Sequence, residues 1–104
     1  MALTRDFRET VMARAGSDAE FRRGLLTEAL DLLMSGEVDT GKAVLRTYIN
    51  ATVGFEVLAA ETGIPSKSLM RMFSDKGNPR ADNLFKVISA LQELTEIHLQ
   101  VKAA

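Results

Sequence analysis

Apolar side chains recur at helical spacing along most of this chain. In the first stretch, residues 4–14, the apolar residues Phe7, Val11 and Met12 follow Thr4, a residue type that caps helix N-termini. This pattern predicts a short helix that ends before Gly16, with a narrow apolar stripe along one side.

The second apolar stretch predicts the most regular helix of the chain. It begins after Ser17, whose hydroxyl, together with the Glu20 carboxylate, fits a capping box. It ends at Gly36, a residue type that commonly terminates helices. Its apolar face comprises Phe21, Leu25, Leu26, Ala29, Leu30, Leu33 and Met34.

Shorter helices follow. Asp39 or Thr40 is expected to cap the next one, which runs to Gly54 and buries Val44, Leu45, Tyr48 and Ile49. Two brief helices are predicted over residues 55–62 and 66–74, and a longer one over residues 81–94.

The turn between the two brief helices has the composition that a helix-turn-helix needs. Gly63 can adopt the left-handed conformation that ends one helix, and Pro65 suits the start of the next. Five side chains are expected to form the core beneath the turn: Leu58, Ala59, Ile64, Leu69 and Met72. The same pattern also fits a plain helical hairpin with a solvated outer face.

The outer face of the second brief helix supplies candidate DNA contacts. Four polar residues are predicted to read bases there, Ser66, Lys67, Ser68 and Arg71. Phosphates are expected to bind Lys76, Asn78, Arg80, backbone N–H groups of the Gly77 loop, and the helix start at Phe55.

The distribution of charge favours this placement although the whole chain has a net charge of −1. Residues 1–64 carry seven basic and ten acidic side chains, whereas residues 65–86 carry five basic and two acidic ones. A short segment of net positive charge is what contact with phosphates requires.

These residues also resemble a known family. Residues 55–69 (Phe-Glu-Val-Leu-Ala-Ala-Glu-Thr-Gly-Ile-Pro-Ser-Lys-Ser-Leu) look like the helix-turn-helix of the λ repressor/Cro-like (XRE) group. Gly77-Asn78-Pro79-Arg80, followed by residues 83–87, resembles the addiction-module antidote (HigA-like antitoxin) branch, and the similarity covers roughly residues 34–94.

The resemblance implies an all-α, five-helix domain that binds double-stranded DNA at a pseudo-palindromic operator as a homodimer. Members of the branch often repress their own operon and neutralise a cognate toxin. We therefore divide the chain into an N-terminal helical extension (residues 1–36), a helix-turn-helix domain (37–94) and a C-terminal tail (95–104). The alternative is an interaction module of the same fold that neutralises a partner without reading DNA.

The sequence supplies little for other functions. It contains no cysteine and one histidine, His98, so we expect no metal, no cofactor and no enzymatic activity. The spacing of Gly36, Gly41 and Lys42 matches a phosphate-binding loop by chance, because Ala43 stands where Ser or Thr would hold magnesium. No apolar run could span a membrane, and a cytoplasmic location is expected.

The tail has a two-residue period that is typical of a strand. Ile97, Leu99 and Val101 alternate with polar residues from Thr95 onward. One interpretation pairs the tails of two subunits as an antiparallel ribbon, with a dimer interface formed by Leu94, Ile97, Leu99 and Val101. A second continues the last helix into a helical dimer through Leu91, Leu94 and Val101. A third adds a toxin strand to the free edge.

Overall fold

All regular secondary structure in the described part of the chain is helical. This computed structural model describes residues 5–104, with side chains from residue 9 onward. Its six helices are α1 (Arg5–Ser17), α2 (Ala19–Met34), α3 (Val38–Ala51), α4 (Gly54–Thr62), α5 (Ser66–Met72) and α6 (Ala81–Thr95). The predicted all-α class is confirmed. The Thr4 cap and the Phe7 side chain lie outside what is described.

The junction between α1 and α2 differs from the predicted capping box. α1 continues through Gly16, and one residue, Asp18, separates it from α2. An Asp18 carboxylate oxygen accepts hydrogen bonds from the N–H groups of Glu20 (3.0 Å) and Phe21 (3.1 Å). These bonds, chiefly that from Phe21, lower the pKa of Asp18. Ser17 instead donates its hydroxyl to the carbonyl of Ala13. The carboxylate is the better cap because its charge also complements the helix dipole.

Other helix boundaries lie close to those predicted. α3 begins one residue before Asp39, so Asp39 and Thr40 lie inside it and Glu37 precedes it without a capping side chain. α5 ends at Met72, two residues earlier than predicted. Residues 37–94 contain the four helices α3 to α6 that the apolar pattern predicts, and the five-helix arrangement implied by the resemblance stays a prediction.

One hydrophobic core runs through the helices from α2 to α6. Its largest fully buried side chains are Leu26, Leu45, Tyr48, Ile49, Leu58, Leu69, Val87 and Leu91. α2 packs along α3, α1 covers both, and α4 joins α3, α5 and α6. Met34, predicted to be buried with the rest of its helix face, is exposed because it lies at the end of α2.

The tail follows neither secondary structure predicted for it. Residues 5–104 contain no strand, and α6 ends at Thr95 because Glu96 adopts a left-handed conformation with φ of 56°. The chain then returns over α6, where the N–H of Leu99 donates to the Gln92 side-chain oxygen over 2.8 Å. Ile97 is only 8% exposed. Alternating apolar residues therefore anchor an extended segment on this subunit's own core.

Candidate DNA-binding surface

The turn between α4 and α5 has the predicted geometry. Gly63 ends α4 in the left-handed conformation, with φ of 75°, and its N–H donates to the carbonyl of Ala59 over 2.8 Å. A side chain at Gly63 would meet no atom within 4 Å, so the backbone conformation, not space, favours glycine. The buried Thr62 hydroxyl accepts from the N–H of Ile64, which stabilises the turn.

The packing beneath the turn sets the rotation of α5. Leu58 of α4 and Leu69 of α5 are fully buried, while Ala59, Ile64 and Met72 are partly buried against the same core. These are the five residues predicted to form this core. Because α5 has only seven residues, the position of Leu69 determines which of its other side chains reach solvent.

The four predicted base-reading residues divide into two pairs. Lys67 and Arg71 are exposed, whereas Ser66 and Ser68 are partly buried. At about 100° per residue, the two cations lie roughly 160° from Leu69 around the helix, while the serines lie at its flanks. The exposed face of α5 therefore presents Lys67 and Arg71 one turn apart, with the thioether of Met70 also exposed beside them.

The loop after α5 is folded tightly against the end of that helix. The N–H of Gly77 donates to the carbonyl of Ser74 over 3.1 Å. A Cβ at Gly77 would lie 2.6 Å from the Met72 carbonyl oxygen and closer still to that of Arg71. Glycine is needed here for close approach, and the loop has a fixed position relative to α5.

The predicted phosphate contacts surround this loop. Lys76, Asn78 and Arg80 are exposed, and Gly77 is partly buried. A guanidinium nitrogen of Arg80 lies 3.3 Å from an Asp82 carboxylate oxygen, so this cation already has a partner. The Phe55 side chain is only 7% exposed, and what this residue offers is its backbone N–H in the first turn of α4.

Lys42 is a residue of this region that the sequence interpretation missed. It is 3% exposed, and its ammonium donates to the carbonyl oxygens of Ser74 (3.3 Å) and Gly77. In the sequence, Lys42 stands out only as part of a chance match to a phosphate-binding loop. The signal was its helical register, because Lys42 falls on the same buried stripe of α3 as Leu45 and Ile49.

The residues predicted for the dimer interface differ in accessibility. Ile97 is buried, Leu94 and Leu99 are partly buried, and Val101 is 86% exposed. Within one subunit, Ile97 and Leu99 already pack on the core. The dimer stays a prediction, and Val101 is the member of this set with most of its surface free.

Comparison of the chain with protein families, with curated proteins and with solved structures gives no match. Within residues 5–104, no helix combines the length and the apolar character needed to cross a membrane. In the same part of the chain, no three His, Asp or Glu side chains are grouped so that they could hold a metal ion.

Proposed function

We propose that the protein is a sequence-specific DNA-binding transcriptional regulator that places α5 in the major groove. The observation that carries the proposal is the joint exposure of Lys67 and Arg71 on the outer face of α5, directly after the Gly63 turn. A short helix that follows its predecessor after such a turn can enter a major groove. The guanidinium of Arg71 can pair with O6 and N7 of guanine, and Lys67 can donate to guanine or to a phosphate.

Phosphate contacts would come from the surroundings of α5. The exposed cations Lys76 and Arg80 and the amide of Asn78 extend its positive surface past the helix end. The first turn of α4 adds backbone N–H groups, which attract anions. Ser66 and Ser68, at the flanks of α5, are suited to donate hydroxyls at the groove edge.

The finer proposal is an antitoxin-type autorepressor with a λ repressor/Cro-like domain. The sequence resemblance over residues 34–94 supports it, and α3 to α6 span that range. Such a regulator would bind a pseudo-palindromic operator as a homodimer, with two α5 helices about 34 Å apart. Its own promoter would contain the operator, and a toxin encoded beside it would be its protein partner, with the protein acting in the cytoplasm.

Selection of duplexes from a random library by the full chain, followed by affinity measurement, tests the proposal. The selected duplex should bind more tightly than a shuffled duplex of the same composition. Arg71→Ala should lose about 1–3 kcal/mol of that difference. Arg23→Ala, which removes an exposed cation of α2, is the matched control and should bind as the parent does. Equal affinity of the parent for both duplexes would refute sequence-specific binding.

A second candidate is a protein-interaction module that does not read DNA. The observation in its favour is an open groove of about 560 Å³ between α1, α2 and α3, with Val11, Leu25 and Val44 in its apolar lining. Arg14 covers part of it, because its guanidinium lies 4.8 Å from the centre of the Phe21 ring. If the parent selects no duplex but a partner's binding is lost on Leu25→Glu, this candidate replaces the first.

A further inference from the structure

We propose that Lys42 is a positioning residue that fixes the loop after α5 and thereby sets the spacing between the base-reading and phosphate-binding cations. The inference rests on the function proposed above and adds to it a residue that does not itself touch DNA. Three observations support it: the burial of Lys42, the main-chain carbonyls that it binds, and the close fit of the loop over the end of α5.

Burial is the first observation. Lys42 lies on the buried stripe of α3, next to Gly41 and about one turn before Leu45, and it is only 3% exposed. A buried ammonium group must find oxygen acceptors, since removing it from water without them is costly. The Asp39 carboxylate lies 3.6 Å from the Lys42 ammonium as an ion-pair partner, but that side chain is 92% exposed and such pairs contribute little.

The two hydrogen-bond acceptors of the Lys42 ammonium lie 32 and 35 residues further along the chain, in the loop after α5. They are the carbonyl oxygens of Ser74 and Gly77. The Ser74 carbonyl also accepts from the N–H of Gly77, so one ammonium group holds both ends of a closed turn. Carbonyls that follow a helix end carry partial negative charge, and a cation is the favoured partner there.

The third observation is the lack of free space between Gly77 and the end of α5. Gly77 lies so close to the last carbonyls of α5 that a Cβ would overlap them. The loop is thus held both by its close contact with the end of α5 and by its hydrogen bonds from the Lys42 ammonium. Arg71 precedes the loop and Lys76 lies within it, so any loop displacement changes the distance between these two cations.

Lys42→Met tests the proposal because it keeps an unbranched apolar side chain and removes every donor. A denaturation curve first identifies conditions in which the variant is fully folded. Under those conditions two quantities are measured: hydrogen exchange at the Gly77 amide, and affinity for the selected duplex. We expect exchange at Gly77 to rise and affinity to fall, each roughly tenfold or more. Amides in the middle of α2 and α6 should exchange as in the parent.

Two controls separate this role from general stability and from the ion pair. Leu26→Ala opens a cavity in α2, which packs on α1 and α3, and should lower stability without changing Gly77 exchange or affinity in the folded protein. Asp39→Asn removes the exposed carboxylate and should behave as the parent does. The proposal is overturned if Lys42→Met leaves exchange and affinity unchanged, or if either control reproduces both of its effects.

If Lys42→Met fails to fold, a measurement on the parent chain still tests whether the Lys42 ammonium is held in the loop. The ammonium protons of Lys42 should exchange slowly enough with water to give a nitrogen-coupled NMR signal, unlike those of the exposed Lys67 and Lys76. Rapid exchange at Lys42 would contradict the proposal. If the parent binds no duplex selectively, the proposed function fails, while Gly77 exchange still tests whether Lys42 holds the loop.

Discussion

The hydroxyl of Tyr48 in α3 donates a hydrogen bond to the hydroxyl oxygen of Thr95, the last residue of α6, over 2.8 Å. Thr95 in turn donates to the carbonyl of Leu91 over 2.7 Å. This chain of bonds joins the last turn of α3 to the end of α6, at the point where the tail turns back. Burial raises the pKa of Tyr48, because the charged tyrosinate would lose its hydration there.

Alkaline pH should therefore destabilise the protein through Tyr48. Its pKa is higher in the folded chain than in the unfolded one, so the stabilisation is complete below the ordinary tyrosine pKa and is lost as pH rises through the folded value. Since the chain has one tyrosine and no tryptophan, ultraviolet absorbance follows this ionisation directly. Tyr48→Phe should lose about 0.5–1.5 kcal/mol at neutral pH and show a weaker alkaline decline. Ionisation of the folded protein at the ordinary tyrosine pKa would contradict the assignment.

Gly63 and Gly77 should respond differently to the same substitutions. Gly63→Ala is expected to cost about 1–2 kcal/mol because of its left-handed backbone, and Gly63→Asn less, since Asn tolerates that conformation. At Gly77 the obstacle is the α5 carbonyls, so Ala should cost about 1–3 kcal/mol and Asn no less than Ala. Denaturant unfolding of the four variants measures this. If Gly77→Asn lost less stability than Gly77→Ala, lack of space would not be the constraint at this position.

Replacing Lys76 by Ala should weaken binding to all duplexes alike and lower the slope of log affinity against log salt by about one unit. Arg80→Ala should do the same. Asp82→Asn frees Arg80 from its ion pair and removes a negative charge, so it should strengthen binding regardless of sequence. Affinity measured over a range of salt concentrations tests all three variants, and an unchanged slope excludes the residue concerned from phosphate contact.

The contribution of the tail to a dimer is best tested at Val101. Deleting the tail would also remove Ile97 from the core, and Ile97→Ala alone should cost about 2–5 kcal/mol. Val101→Asp changes an exposed position and should leave the stability of the subunit intact. Sedimentation of this variant should report monomers if the dimer uses the tail. A Val101→Asp chain that remains a dimer at the parent's affinity would locate the interface elsewhere.

Features that depend on residues close together in the sequence could be predicted, whereas features that depend on contacts between distant residues could not. The α4–α5 turn was predicted because Gly63 and Pro65 act through their own backbone conformations. The partial burial of Ser66 and Ser68 was not, because the rotation of so short a helix depends on how Leu69 packs. The tail pattern was ambiguous, since a strand and an extended segment lying on a helix have the same alternation.

Lys42 illustrates the remaining limit. Its register on α3 indicates burial, but its partners are main-chain carbonyls more than thirty residues away, and any residue type supplies a carbonyl. No side-chain pattern at Ser74 or Gly77 could have identified them as acceptors.

The exposed face of α5 also has an energetic consequence. Lys67 and Arg71 lie one helical turn apart, and like charges at that spacing repel each other by a few tenths of a kcal/mol. Within residues 9–104 neither cation forms an ion pair with an acidic side chain, so a bound anion would relieve this repulsion. A polyanion that lies across both side chains converts the repulsion into attraction. The melting temperature of the protein should therefore depend on the buffer. A bound polyanion should raise it, and added salt should reverse that increase by screening the charges.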